Sequence, residues 1–148
     1  MDAPVNDRND PYRLQRYIDA QRPIYEQALA ELQAGRKRSH WMWFIFPQLE
    51  GLGHSAMAQQ YAISGLDEAK AYLRHPVLGQ RLRACTRAVN GVEGRGVEEI
   101  FGYPDHMKFR SSMTLFAATG EDPVFQQALD KYFDGASDPL TMERLGKH

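Results

Sequence analysis

The chain has few of the features that would place it in a membrane, in an oxidising compartment or on nucleic acid. Its single cysteine, Cys85, can form neither an internal disulfide nor a cysteine metal cluster, so we expect a reducing compartment, the cytoplasm. No apolar run approaches the roughly 20 residues that cross a membrane, and the N-terminus lacks the apolar core of a signal peptide. The 18 basic and 19 acidic side chains give a formal net charge of −1, which argues against general nucleic-acid binding.

The sequence also lacks strand alternation of useful length, internal repeats and linkers. Helix starts, in contrast, recur at Asp10-Pro11, Asp122-Pro123 and Asp138-Pro139, where an N-cap acceptor precedes a proline. We therefore predict an all-α fold, a compact single-domain bundle of about seven to nine short helices with no substantial sheet. The domain is expected over residues 10–146, after a disordered or loosely held N-terminus at 1–9.

Several helix details follow from local signals. Ser39 is expected to cap a short helix over the aromatic run that ends at Pro47, and Ser64 with Asp67 resembles a capping box. Short turns are expected over 55–61 and 97–101. Cys85 falls on the apolar face of a helix and is expected in the core rather than as a nucleophile.

The strongest candidate for a binding site is the segment in which a basic run directly precedes an aromatic run. Cations and a helix start favour an anion, and a tryptophan face favours a flat ring. Trp41 and Trp43 lie two positions apart, so we expect at least one of them at a cleft. The alternatives are a solvated basic loop and aromatic core packing. The candidate residues are Arg36, Lys37, Arg38, Ser39, His40, Trp41, Trp43 and Gln48.

A second candidate group surrounds Phe109, which with Met113 and Phe116 is expected to form the apolar stripe of a helix. Cations and hydroxyls together suit phosphate or ribose, and three of these side chains are expected on one exposed side of the helix. The alternative is an ordinary solvated face opposite the stripe. The candidates are Lys108, Arg110, Ser111 and Ser112.

If the chain catalyses a reaction, His40 is a candidate acid or base because histidine titrates near neutral pH. Asp130 is a candidate carboxylate for the hydrolysis of a glycosidic bond. A structural or solvated role is the alternative for both residues. The five histidines lack metal-ligand spacing, so we expect neither a metal nor a cofactor.

Two long motifs, Gly35-Arg-Lys-Arg-Ser-His-Trp-Met-Trp-Phe-Ile-Phe-Pro-Gln48 and Met107-Lys-Phe-Arg-Ser-Ser-Met-Thr-Leu-Phe116, resemble the bacterial domain-of-unknown-function family 1810. Tyr61-Ala-Ile-Ser64 and His75-Pro-Val-Leu-Gly79 add to the resemblance, which covers about residues 10–145. It implies a compact, mainly helical, soluble domain without an established activity. Some members carry the label calpastatin, but inhibitors of that class resemble disordered repeats, unlike this globular composition.

The sequence is also similar, more distantly, to the NADAR superfamily, in the order of Phe46-Pro47, Lys108-Phe109, Thr119-Gly120 and the segment 130–135. That similarity implies an ADP-ribose-like ligand and N-glycosidic hydrolysis. The acidic residue that the superfamily places soon after its Phe-Pro pair has no counterpart in residues 56–60. This departure weighs against hydrolysis more than against binding.

Together these patterns predict that the two candidate groups form one basic-aromatic cleft for a small phosphate-bearing, nucleotide-like or ADP-ribose-like ligand, with hydrolysis as an extension. The alternative is a non-catalytic module that uses the same aromatic patch to bind a protein partner. No membrane partner is expected in either case.

Overall fold

The computed structural model describes residues 9–146, which form ten helices. The predicted all-helical class is confirmed, with one helix more than expected because the segments 56–60 and 97–101 are helical rather than simple turns. The predicted N-terminal segment 1–9 lies, apart from Asn9, outside the described residues. The helices are α1 (Gln15–Gln21), α2 (Tyr25–Gln33), α3 (Met42–Ile45), α4 (Ala56–Gln60), α5 (Leu66–Arg74), α6 (Leu78–Asn90), α7 (Val97–Phe101), α8 (Asp105–Ala117), α9 (Val124–Phe133) and α10 (Pro139–Arg144).

The three aspartate-proline pairs all act at helix starts, but at different distances. Asp138 is the N-cap of α10, and its Oδ2 accepts from the Thr141 N–H at 3.0 Å. Asp122 accepts from the Val124 N–H at 2.9 Å, so α9 begins one residue later than predicted. Asp10 accepts from the backbone N–H groups of residues 14 and 15, at 2.7 and 2.9 Å, and α1 begins only at Gln15.

Two predicted caps are wrong. Trp41, not Ser39, occupies the N-cap of α3, and the Ser39 hydroxyl instead donates to Glu31 at 2.7 Å. At α5 the acid that bonds back to Ser64 is Glu68 rather than Asp67. Its Oε1 accepts from the Ser64 N–H at 2.9 Å and from the hydroxyl at 2.8 Å, because the longer side chain reaches back over the first turn.

Helix α8 is the centre of the domain, since it packs against α5, α7, α9 and α10. The predicted stripe of Phe109, Met113 and Phe116 is completely buried and is thereby confirmed. The prediction of an exposed polar side is wrong for Ser111 and Ser112, which are both buried. The reason is the number of packing partners: a helix covered on several sides buries its polar positions too.

Helix α6 forms a second layer against α2, α5 and α9. Its apolar face carries Leu82, Cys85 and Val89, all at most 1% exposed, as predicted. Between these layers and α3, the core contains aromatic pairs, among them Phe46 edge-on to Phe109 with ring centroids 5.0 Å apart. The short helix α3 thus brings the aromatic run to the N-terminal half of α8.

Candidate functional site

A single buried carboxylate organises the basic-aromatic segment. Glu31 of α2 accepts five hydrogen bonds, four of them from residues 38–41. Its Oε1 accepts from the backbone N–H groups of Arg38 and Ser39, at 2.7 and 3.0 Å, and from the Trp41 indole at 3.0 Å. The chain therefore turns from the surface to the core around one acid.

The environment of Glu31 decides its charge. Burial by itself raises the pKa of this carboxyl, but the hydrogen bonds from Arg38, Ser39, Gln27 and Trp41 outweigh burial and lower the pKa to about 2. The group is thus ionised near neutral pH. Because Glu31 is buried and accepts four hydrogen bonds from residues 38–41, it holds this loop in place.

This arrangement removes two predicted ligand-binding residues from the surface. Trp41 is 0% exposed, and its indole N–H is bonded to Glu31, so no ring face is free for a base to stack on. Ser39 uses its hydroxyl and its N–H on the same carboxylate. Both residues therefore support the fold of the segment.

Two lysines of the predicted set meet at one carboxylate, that of Asp105 at the start of α8. Lys37 Nζ lies 2.8 Å from Oδ2, and Lys108 Nζ lies 3.3 Å from Oδ1. Each ammonium also lies over an indole, Lys37 over Trp41 at 5.2 Å and Lys108 over Trp43 at 5.5 Å from the ring centroid. The cluster therefore carries one positive charge in excess.

The two ammonium groups differ in their access to solvent. The Lys37 side chain is 9% exposed, whereas that of Lys108 is 29% exposed. The ion pair of Lys37 with Asp105 is therefore largely shielded from solvent, whereas a ligand can reach Lys108.

Lys108 lines a pocket of about 290 Å³ beside the N-terminal half of α8. Of the residues predicted as ligand-binding, this pocket brings together Gln48, Lys108 and Ser111. The remainder of its wall comes from the loop after α3, from the turn before α8 and from the start of α10. These further lining residues are Leu52, Gly53, Tyr103, Pro104, Met107, Asp138 and Leu140.

Three apolar side chains at the pocket are unusually exposed for their size. Tyr103 is 74%, Met107 55% and Leu140 60% exposed, and they are the large hydrophobic side chains that stand out on the described surface. Large apolar side chains that are exposed together at one place are typical of a surface that binds a ligand or a partner. Tyr103 therefore supplies the accessible aromatic face that the sequence assigned to a tryptophan.

The polar side of the pocket is held by a chain of hydrogen bonds between α8 and α10. Ser111 Oγ lies 3.1 Å from Thr141 Oγ1, which donates to Asp138 Oδ2 at 2.6 Å. Asp138 Oδ2 also caps α10. A carboxylate oxygen and a serine hydroxyl are thus fixed at the wall by secondary structure, which is how a binding site is kept in shape before the ligand arrives.

The other predicted residues do not meet at this pocket. The Arg110 guanidinium donates to the carbonyl oxygens of Ala136 and Ser137, at 3.1 and 3.0 Å, and holds the loop before α10. Ser112 is buried, and its hydroxyl has no partner in residues 9–146. Arg36 and Arg38 are exposed on either side of Lys37.

The two catalytic candidates are also outside the pocket. His40 is exposed in the loop before α3. Asp130 is exposed on α9, where its Oδ1 accepts from the Gln126 amide at 3.0 Å. Neither residue lines the wall around Lys108. Within residues 9–146, His, Cys, Asp and Glu side chains do not gather in threes that could hold a metal ion.

Sequence reasoning missed Tyr103, Asp138 and Leu140 as pocket residues. Asp138 was predicted only as a helix cap, and Tyr103 lies directly before Pro104, the N-cap of α8. A side chain at a helix start projects beside unpaired backbone N–H groups. An aromatic or acidic residue at such a position is therefore also a candidate site residue.

Fold and pocket together define a small all-helical domain with a pocket of mixed polar and apolar lining beside its central helix. The chain belongs to the family described as a protein of unknown function (DUF1810), whose family model matches residues 11–145. The predicted family membership is confirmed. The match does not extend to the NADAR superfamily, and that resemblance stays a hypothesis.

A solved structure supports the same fold. The chain is similar to the conserved hypothetical protein Rv1873 from Mycobacterium tuberculosis, with 52% sequence identity and a TM-score of 0.92. The alignment covers 94% of this chain and 100% of that one. No curated protein matches the chain. Among the helices of residues 9–146, none has the length and apolarity that a membrane span requires.

Proposed function

We propose that this protein binds a small ligand with an anionic group and a flat ring, of the nucleotide or ADP-ribose type, in the pocket beside α8. The observation that carries the proposal is the convergence of Lys108, Tyr103 and Asp138 on one pocket. Cation, exposed aromatic face and fixed carboxylate are the three kinds of group that phosphate, base and ribose need.

The charge supports an anionic group at Lys108. Asp105 is shared between two ammonium groups, which leaves one positive charge in excess. An anion at Lys108 neutralises that charge. The ring supports stacking at Tyr103, because every base has a π face and stacking is worth about 1–3 kcal/mol per base. Asp138, which lines the pocket, then offers a carboxylate as acceptor for a ribose hydroxyl.

The proposal concerns binding and not hydrolysis. The sequence suggested His40 and Asp130 as acid and base, but neither residue lines the pocket. The carboxylate beside a ligand bound here is that of Asp138, which α10 uses as its N-cap. A role for Asp138 in cleaving a glycosidic bond is therefore tested only after binding is established.

A thermal-shift screen of the purified protein against ADP-ribose, NAD, nucleotides and sugar phosphates tests the proposal. A ligand at 100 times its dissociation constant adds about 2.7 kcal/mol to the free energy of unfolding and raises Tm measurably. We expect at least one nucleotide-like compound to do so. No shift across the whole panel contradicts the proposal.

Two variants then assign the site. Lys108→Ala removes the accessible ammonium while Lys37 keeps Asp105 paired, and it should weaken binding by about 1.5–3 kcal/mol. Tyr103→Ala should cost about 1–3 kcal/mol in affinity without changing the fold, since Tyr103 is largely exposed. Lys70→Ala, which removes the same charge from α5 outside the pocket, is the matched control and should bind as the wild type does.

A second candidate function is favoured by the same exposed side chains. Tyr103, Met107 and Leu140 form an apolar patch that a protein partner could cover. A partner held by this patch depends on Met107 and Leu140 and is indifferent to Lys108. Nucleotide binding that Lys108→Ala weakens decides for the small ligand, whereas binding of a protein partner that Lys108→Ala leaves unchanged decides for the apolar patch.

A further inference from the structure

A second cavity lies on the other side of the loop that follows α3. Its volume is about 430 Å³, and it is enclosed by the segment before α1, by the first turns of α1 and α5, and by residues 50–51 and 59–64. Its charged and polar lining includes Arg13, Arg16, Glu50, Gln59, Ser64 and Glu68. None of these residues belongs to the candidate ligand site described above.

One wall of this cavity is a buried ion pair. Arg16 Nη2 lies 2.9 Å from Glu68 Oε2, and the two side chains are 16% and 4% exposed. The same nitrogen donates to the Ala62 carbonyl and to the Tyr17 hydroxyl, both at 3.0 Å, while Nε is buried without a partner among residues 9–146. The pair therefore holds a guanidinium rigidly at the cavity.

A second guanidinium at the cavity is that of Arg13, which is exposed. Arg13 has a φ of +52°, a left-handed conformation that is unfavourable for a residue with a Cβ. Asparagine or glycine would adopt it at less cost. Within residues 9–146, the Arg13 side chain has neither an ion pair nor a hydrogen bond.

Another part of the cavity wall carries the exposed residue Glu50 on a fixed backbone. Arg144 Nε donates to the Glu50 carbonyl oxygen at 2.9 Å, and the guanidinium lies so close over Gly51 that a Cβ there would overlap it. Gly51 has a φ of +88°, which also favours glycine. These contacts fix the position of Glu50, whose carboxylate makes no ion pair with Arg13 or Arg16 although all three line the same cavity.

We infer that this cavity binds a small zwitterion, a free amino acid or a dipeptide, with its carboxylate at Arg13 and Arg16 and its ammonium group at Glu50. The pair of Arg16 and Glu68 is neutral as a unit, so among the described residues that line the cavity Arg13 and Glu50 are the two opposite charges without an ion pair. A molecule with both charges, separated by a few bonds, satisfies them together. Ser64 and Gln59 add polar groups for the remainder of the ligand.

The size of the cavity agrees with this class of ligand. Pockets for small molecules commonly span about 300–1,000 Å³, and this one lies in the lower half of that range. The site is independent of the proposed nucleotide-type pocket, because residues 48, 52 and 53 line that pocket whereas 50 and 51 line this cavity.

Ligand-observed saturation-transfer NMR on the full chain tests the inference, with the free L-amino acids and a set of glycyl dipeptides as probes. We expect at least one probe to bind saturably. Its N-acetylated form and its decarboxylated amine should each bind at least about tenfold more weakly, the loss expected for one charge-assisted hydrogen bond. Absence of saturable binding by every probe overturns the inference.

Two variants locate the ligand. Arg13→Asn removes the guanidinium and keeps a residue that tolerates the left-handed backbone, so affinity should fall at least about tenfold while Tm stays equal or rises. Arg22→Asn removes the same charge from the other end of α1, where Arg22 is exposed, and should leave affinity unchanged. Unchanged affinity in folded Arg13→Asn overturns the inference.

Glu50→Gln provides a separate readout. It should abolish the preference for the free amine over the N-acetylated form, because the amide no longer attracts a cation. A preference that persists in this variant places the ammonium group elsewhere and contradicts the inference. Nucleotide binding at the pocket beside α8 should be unaffected by Arg13→Asn, so failure at one site is distinguishable from failure at the other.

Discussion

At the scale of single residues, Glu31 shows how one side chain converts a basic surface run into a buried aromatic one. Its carboxylate accepts the backbone N–H groups of Arg38 and Ser39 and the Trp41 indole N–H. An indole buried without an acceptor would lose a hydrogen bond to water, and Glu31 replaces that bond. The adjacent charges on Arg36 and Arg38 stay in solvent.

We predict that Glu31→Gln lowers the free energy of unfolding at neutral pH by about 2–4 kcal/mol. The donors bond to two carboxylate oxygens in the wild type, whereas the neutral amide offers only one acceptor oxygen. The pKa of Glu31 is lowered from 4.5 to about 2, so its contribution is complete above pH 4.5 and is lost as the pH falls towards 2. Urea unfolding across this range measures it.

The variant and the wild type should therefore converge in stability as the pH approaches 2. Glu26→Gln, on the exposed side of the same helix, is the control and should change little. A gap between wild type and Glu31→Gln that is constant with pH would show that the effect is packing and not ionisation.

At the scale of single elements, α6 begins with a cap that sequence signals did not indicate. His75 Nδ1 accepts from the backbone N–H groups of Val77 and Leu78, at 3.1 and 3.3 Å. The first residue of this helix is Leu78, and the histidine two to three positions before Val77 and Leu78 serves as acceptor for their N–H groups. An imidazole can accept at Nδ1 only while that nitrogen carries no proton.

We predict that His75→Ala lowers stability by about 1 kcal/mol at pH 8, the usual value of a helix cap. Burial lowers the pKa of His75 and outweighs the charge of Asp10, which raises it. Since the folded state favours the neutral ring, this stabilisation is present above the ordinary pKa of 6.5 and is lost as the pH falls below it. Chemical denaturation at a series of pH values follows the loss.

His54→Ala is the matched control for this prediction, because His54 is exposed and offers its backbone carbonyl, not its ring, to Gln59. Its stability should differ little from that of the wild type at every pH. If His75→Ala retained the full pH dependence of the wild type between pH 8 and pH 5, another group would be responsible.

At the scale of the whole molecule, α6 packs against α2, α5 and α9, so access to its inner face requires α6 to separate from these helices. Cys85 lies on the inner face of α6 and is 1% exposed. Burial raises the pKa of its thiol to about 12, against a smaller opposing effect of Arg81. The thiolate is therefore scarce and inaccessible in the native protein.

We predict that Cys85 reacts with an aromatic disulfide reagent only at the rate of global unfolding. The absorbance of the released thiolate, followed in native buffer, should rise no faster than unfolding measured by circular dichroism after a jump into denaturant and extrapolated to zero denaturant. Protein already unfolded in guanidinium should react at once. Fast reaction under native conditions would show that α6 opens locally.

The sequence alone determined that this is one helical domain of its family. Helical spacing and aspartate caps act within a few residues, and these signals placed α10 and the stripe of α8 correctly. Local signals were insufficient before α3 and α5, where the acceptor for the serine depended on which acid could reach it. Ser39 bonds to Glu31 from another helix. Ser64 bonds to Glu68, one position after the predicted Asp67.

Only the tertiary structure decided which side chains are accessible. Trp41 and Ser111 both carry a polar group and were predicted at a surface or cleft. Instead, Glu31 of α2 and Thr141 of α10 supply buried hydrogen-bond partners for them. Tyr103 and Leu140 look like ordinary hydrophobic residues, yet no described element covers them. The physical reason is that exposure depends on contacts between elements far apart in the chain, which helical periodicity does not encode.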